Sequence, residues 1–284
     1  MNLINLTDIN GSFSSYESLI QSFLNVRTNR FSKIKVCLSN WFSANMSAVL
    51  GGLLDSLDSS NEIELNPDYS IRNILEKNRF LSNYGYPRLY DSNNTTIPYL
   101  KLRAEDSRYF NNYVIDELLS KSALPKMSDA LKKKIAESIY EIFVNAQMHS
   151  GSPFIYTCGQ FYPYGNKIEF TIVDMGRGFK ANVNGRFNTN LTSIQSIKWA
   201  ILDGNTTKVN APGGLGLSLL KEFVCKNKGK IQIVSGDGFY EYGNECSEKQ
   251  LSAPFPGSIV NMCFKTDDKN SYLLASEVKT EDIF

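Results

Sequence analysis

The sequence predicts an α/β protein, built as an α+β sandwich of helices packed on sheets. Three observations lead there. Stretches with apolar residues three and four apart alternate along the chain with short stretches of strict polar–apolar alternation. Clusters of Gly, Pro, Asn and Ser separate them. The composition, 42% hydrophobic and 21% charged over 284 residues, supplies apolar surface for one large unit or two ordinary ones.

The first part alternates helix and strand. Residues 13–26 have helical spacing. Lys33-Ile34-Lys35-Val36-Cys37-Leu38 alternates as a half-buried strand does, and Ser39-Asn40 ends it. Residues 46–57 read as an apolar helix, whose Gly51-Gly52 costs stability unless a neighbour packs closely there. A strand is expected at 62–65, a helix at 69–80 and a long loop at 82–96. Residues 97–102 read as an edge strand, because Pro98 cannot donate to a ladder. Asp106 can cap a helix to about residue 120. Leu124-Pro125-Lys126 reads as a joint between a module of residues 1–122 and a domain of residues 123–284.

In the second part Ser128 caps a long helix ending at His149, with the apolar stripe Leu131, Ile135, Ile139, Ile142 and Ala146. Residues 155–160 and 167–173 form a strand pair around the turn Tyr162-Pro163-Tyr164-Gly165-Asn166. Residues 191–202 are helical, with Gly204 placed to end them. A further helix spans 215–226, and 230–235 and 258–265 alternate like strands, joined by a turn-rich connection at 236–256.

Bulk properties exclude several roles. A net charge of +1 gives no electrostatic footprint for nucleic acid. No stretch approaches the roughly 20 apolar residues of a membrane span, and residues 1–8 lack a signal-peptide pattern. The expectation is a cytoplasmic protein whose scattered cysteines are free thiols. The single histidine, His149, excludes a His-rich zinc centre.

Three short motifs carry chemistry. On the long helix, Glu137, Glu141, Asn145 and His149 are four apart and share one face. Asn145 falls about 60° and His149 about 20° from Ile142 on the helical wheel, so both need polar partners. Asn145 either joins a core hydrogen-bond network or supplies an oxygen to Mg²⁺. Glu141 is either a solvated charge or the group that orients or deprotonates a water. Asp174-Met175-Gly176-Arg177-Gly178 follows the strand ending at Val173. It is either an ordinary turn or a wall whose carboxylate accepts a hydrogen bond from an adenine amino group. Gly213-Gly214-Leu215-Gly216-Leu217 opens a helix, as a flexible loop or as backbone amides offered to phosphates. It is neither a Walker A motif nor a Rossmann fingerprint.

In this order and spacing the motifs resemble the GHKL ATPase superfamily of gyrase, the heat-shock chaperone, histidine kinases and MutL, over roughly residues 125–266. The resemblance implies a Bergerat fold: a mixed sheet, helices on one face, and ATP held between the sheet edge and a lid at about 179–212. It makes Glu141 the general base and Asn145 the Mg²⁺ ligand. Asp174 becomes the adenine contact, with Gly176 and Gly178 shaping that wall. Gly214, Leu215, Gly216 and Leu217 meet the phosphates. Ser258 supplies a hydroxyl in support of Asp174. Lys208 is either a terminal-phosphate contact or an exposed lid lysine.

The form Asn-Ala-x-x-His-Ser at 145–150 resembles the bacterial histidine-kinase-like group, including the anti-sigma-factor kinases. With His149 in the ATP site and no other histidine, the chain is not an ordinary autophosphorylating histidine kinase. Residues 33–57 resemble the STAS-like fold, with Ser43 and Ser47 nearest its phosphorylated position; the usual preceding Asp is missing. The implied function is Mg²⁺-dependent, slow ATP hydrolysis as a nucleotide-driven switch on a protein partner or a second copy. The alternatives are a Ser/Thr protein kinase and a non-catalytic ATP-binding adaptor.

Overall fold

The computed structural model describes residues 2–103, 105–202 and 215–277, with side chains from 218 onward in the last stretch. Three parallel strands begin the chain: β1 (Asn2–Ile9), β2 (Lys33–Phe42) and β3 (Glu62–Pro67), in that spatial order. Parallel pairing needs long crossovers, which α1 (Phe13–Leu24) and α2 (Ser47–Asp55) supply. α3 (Tyr69–Lys77) follows. Strand β1 was not expected from the sequence. Strand β2 runs on through Ser39-Asn40, because Asn40 takes a left-handed conformation (φ 60°) that an Asn side chain tolerates.

The second sheet has five strands in the order β4 (Thr96–Arg103), β6 (Phe154–Tyr162), β7 (Lys167–Asp174), β9 (Ser247–Lys265), β8 (Lys230–Gly243). Every neighbouring pair is antiparallel, so this sheet is not the mixed one expected. Strand β4 lies at the edge, where Pro98 is tolerated. A short parallel pair, β5 (Lys126–Met127) with β10 (Ser271–Tyr272), stands apart.

The division at 122/123 does not match the sheets. Strand β4 already belongs to the five-stranded sheet, and α4 (Ser107–Tyr113) stacks Phe110 on Phe143 at 4.3 Å, against the long helix. The change of sheet falls between Pro67 and Thr96. Nor is there a gap between the halves, since one apolar cluster runs from Ile4 and Leu19 through Leu50 to Tyr156, Val173 and Ile259.

Helix α5 (Asp129–His149) starts where Ser128 Oγ accepts from the Leu131 N–H at 3.1 Å. Leu131, Ile135, Ile139 and Phe143 bury against the sheet. The helix expected at 106–120 becomes α4 followed by a wider π turn at Val114–Leu119. α6 (Gly178–Phe187) and α7 (Ser193–Ala200), the latter within the helix expected at 191–202, fill half of the segment expected to be a lid, and α8 (Leu215–Lys226) packs beside α5.

The connection expected at 236–256 is instead the far half of a long β8–β9 hairpin. Its glycines accommodate register shifts at Gly236 and Gly238 rather than a loop. The extension earns its order from the first module: Phe239 meets Phe13 at 5.3 Å, and Glu17 accepts from the Ser252 N–H and hydroxyl, each at 2.7 Å. Among the described residues no helix is long and apolar enough to cross a membrane.

Candidate functional site

Alternation along three neighbouring strands builds the floor of the site. The rows of β7, β9 and β8 that face α5 are apolar: Ile168, Phe170, Ile172; Phe264, Met262, Val260; Ile231, Ile233. Each row ends on a polar residue at the same end of the sheet. These are Asp174, Ser258 and Ser235, and pairing sets them side by side (Asp174 opposite Ser258, Ser258 opposite Ser235).

Above this floor α5 presents Ser138, Glu141, Ile142, Asn145, Ala146 and His149, which recur at three and four residues and so share a face. Helix α6 adds Phe179, Asn182 and Val183, and α7 adds Trp199. Together they line a cavity of about 120 Å³, against the roughly 10–15 Å³ that one water needs. It can hold an organic ring.

Burial strongly alters Asp174 in this cavity. It is 6% exposed, and loss of water pushes its carboxyl up to about 7. Two donors oppose the shift: the Gly176 N–H, 3.0 Å from Oδ1, and the Ser258 hydroxyl. Ser235 Oγ in turn lies 3.3 Å from Ser258 Oγ and accepts from the Phe179 N–H at 2.9 Å. The carboxyl keeps acceptor capacity for a ligand that donates.

Of the residues singled out by sequence, Glu141, Asn145, Asp174, Gly178 and Ser258 line this one cavity. Glu141 and Asn145 are half-buried. Among the described residues no hydrogen bond holds the Asn145 carboxamide, which lines the cavity. Gly176 stands just outside the cavity, and it is glycine because a Cβ there would run into the Ser150 backbone at the end of α5. Gly178 opens α6 with φ 71°, a conformation open to glycine. Leu215, Gly216 and Leu217 begin α8 as expected. Lys208, Gly214 and the Gly204 stop lie outside the described residues.

Sequence reasoning missed Phe179, Asn182 and Val183, because no helix was expected over 179–190; Trp199 lies in the helix expected at 191–202 but was not singled out for the site. The helical spacing of 178–187 is weak, and contacts made later in the chain hold it, among them Phe187 on Trp199, 4.9 Å between rings, and the Phe179 N–H donating to Ser235 Oγ at 2.9 Å. Ser43 and Ser47 are 2% and 0% exposed, and their hydroxyls accept from Trp41 Nε1 and Asn78 Nδ2, each at 3.1 Å.

Among the described residues no group of three or more His, Cys, Asp or Glu could hold a metal. A cation at Asn145 would draw its remaining ligands from water and the bound molecule, as Mg²⁺ commonly does. No protein-family model matches the chain, and no curated protein matches it at a significant level.

Proposed function

We propose that this chain binds ATP with Mg²⁺ in the cavity between α5 and the polar ends of β7, β9 and β8, and hydrolyses it slowly as a nucleotide-driven switch. One observation carries the reading: a buried carboxyl, Asp174, shares a ring-sized cavity with a half-buried carboxylate, Glu141, and with the carboxamide of Asn145, which has no hydrogen-bond partner among the described residues. A purine with an exocyclic amino group supplies a further donor to Asp174, beside the Gly176 N–H and the Ser258 hydroxyl. Ile142, Ile172, Val183, Ile233 and Val260 offer apolar walls to its ring. The set fits a nucleotide whose base lies deep and whose phosphates reach the α5 face.

In this reading Asp174 accepts from the base amino group and Ser258 holds that carboxyl in place. The Asn145 oxygen takes one position on the cation, which neutralises phosphate charge. Glu141 sits one turn earlier on the same face and orients a water for in-line attack, accepting its proton. The switch acts on a protein partner or a second copy of the chain.

A kinase that transfers the phosphoryl group to a partner hydroxyl uses the same site. The buried Ser43 and Ser47 argue against their being its targets. An adaptor that binds without turnover is the third reading.

Incubation with Mg²⁺ and γ-labelled ATP separates the three. Free labelled phosphate that falls about 10²- to 10⁴-fold in Glu141→Ala, with ATP affinity retained, is the expected outcome for the hydrolase. Label on a protein selects the kinase, and bound ATP with no transfer selects the adaptor.

A further inference from the structure

The strand alternation that aims Asp174 at α5 aims its neighbour, Met175, at the opposite face, into the first module. There it meets α2. A Cβ built on Gly52 would lie 2.8 Å from Met175 Sδ, 3.1 Å from its Cγ and 3.5 Å from Tyr156 Cδ2, so glycine is what lets the methionine seat. The same helix is tied down at both ends. Tyr156 donates to Asp55 Oδ2 at 2.9 Å at its C-terminus. Just before its N-terminus, Asn45 donates to Thr171 Oγ1 at 3.0 Å and to Asn261 Oδ1 at 3.3 Å. Thr171 and Asn261 are themselves paired, three residues along β7 and β9 from the Asp174–Ser258 pair. Helix α2 therefore grips the two strands that carry the site, and the residue next to its carboxyl, without reaching the cavity.

We propose that α2 is a positioning element for the Asp174 wall, acting through the contact of Gly52 with Met175, so that a shift of α2 changes nucleotide affinity. This rests on the nucleotide reading above. It gives the first module a regulatory place: a partner or modification that moves α2 is read out at the base pocket. Met175 is a positioning residue, since its side chain faces away from the cavity.

The test is a double-mutant cycle on Mg·ATP affinity, measured by titration calorimetry, with thermal unfolding of the nucleotide-free proteins alongside. Gly52→Ala displaces Met175 and is expected to weaken binding about tenfold, as a sub-ångström misplacement does. Met175→Ala loosens the hold and is expected to weaken it about threefold. The double variant should bind like Met175→Ala alone, because the added methyl then has nothing to displace. A merely structural role would lower the unfolding temperature of Gly52→Ala and leave its affinity unchanged, which overturns the proposal. So does a double variant whose loss is the product of the two single losses. Should Gly52→Ala fail to fold, Met175→Ala decides alone: wild-type affinity in a folded protein overturns the proposal. Failure of the unaltered chain to bind Mg·ATP overturns the nucleotide reading and this inference together, whereas normal binding with indifferent variants removes only the inference.

Discussion

On the α5 side of the five-stranded sheet, β7 presents Ile168, Phe170 and Ile172; on the other side it presents Glu169, Thr171 and Val173. The same contrast holds next door, with Val260 and Met262 of β9 against Asn261, and Ile231 and Ile233 of β8 against Gln232. All of these residues are buried, yet among them only residues on the module side join a polar chain. Tyr162 donates to Asn45, Asn45 to Thr171 and Asn261, Asn261 to Gln232, and Gln232 to Glu241. Apolar packing on the helix side is non-directional, so it stabilises without choosing one seating. The polar inlay is directional: its bonds are complete only when the 44–46 turn sits in one place on the sheet. One face thus supplies stability while the other sets register, and register is what a positioning helix requires.

Truncation sharpens the contrast. Phe170→Ala opens a cavity on the apolar face and should cost about 3–5 kcal/mol, read by denaturant unfolding. The next effect has the opposite sign. The free Asp174 carboxyl, held up to about 7, has an unfolded value near 3.9. Its protonated form is the one the fold favours. The stability this contributes is complete below about pH 4 and is lost as pH rises to about 7. Asp174→Asn removes that loss, so the nucleotide-free variant should be more stable than wild type at pH 8 by up to about 4 kcal/mol. The same substitution should abolish ATP binding, since an amide nitrogen replaces an acceptor. In wild type, affinity should rise with pH through about 7, as the carboxylate form accepts the base amino group. A flat pH profile of stability, with binding intact in the variant, would sever Asp174 from the site.

A smaller effect is expected on the module face. Asn45→Ala leaves Tyr162, Thr171 and Asn261 short of partners and should cost about 1–3 kcal/mol. Unlike Phe170→Ala, it should also lower nucleotide affinity in the folded protein, because α2 loses its N-terminal anchor. Equal losses of affinity from both substitutions would erase the distinction between the faces.

Much of the cavity was legible before the fold was known. The four-residue spacing of Glu141, Asn145 and His149 places them on one face, and the alternation of 167–173 places Asp174 at the end of an inward row. These are local facts about helix and strand periods, and local periods survive whatever the rest of the chain does. The hairpin at 236–256 was not legible in the same way. Gly236, Gly238 and Pro256 read as turns, and partners distant in the chain, among them Phe13, Tyr16 and Glu17 more than 200 residues away, hold those residues extended. The joint at residues 124–126 was a local signal too, and the pairing of β4 with β6 overruled it.

Backbone periodicity is written within a few residues, so the helix of Glu141 and Asn145, the strand before Asp174 and the start of α8 could be read from the chain alone. The tertiary structure alone decided that Asp174, Ser258 and Ser235 stand abreast, that α6 and Trp199 close the cavity, and that Gly52 of the first module touches Met175. Those are contacts between segments far apart in the chain, chosen by burial and strand pairing across the whole molecule, and no local pattern encodes them.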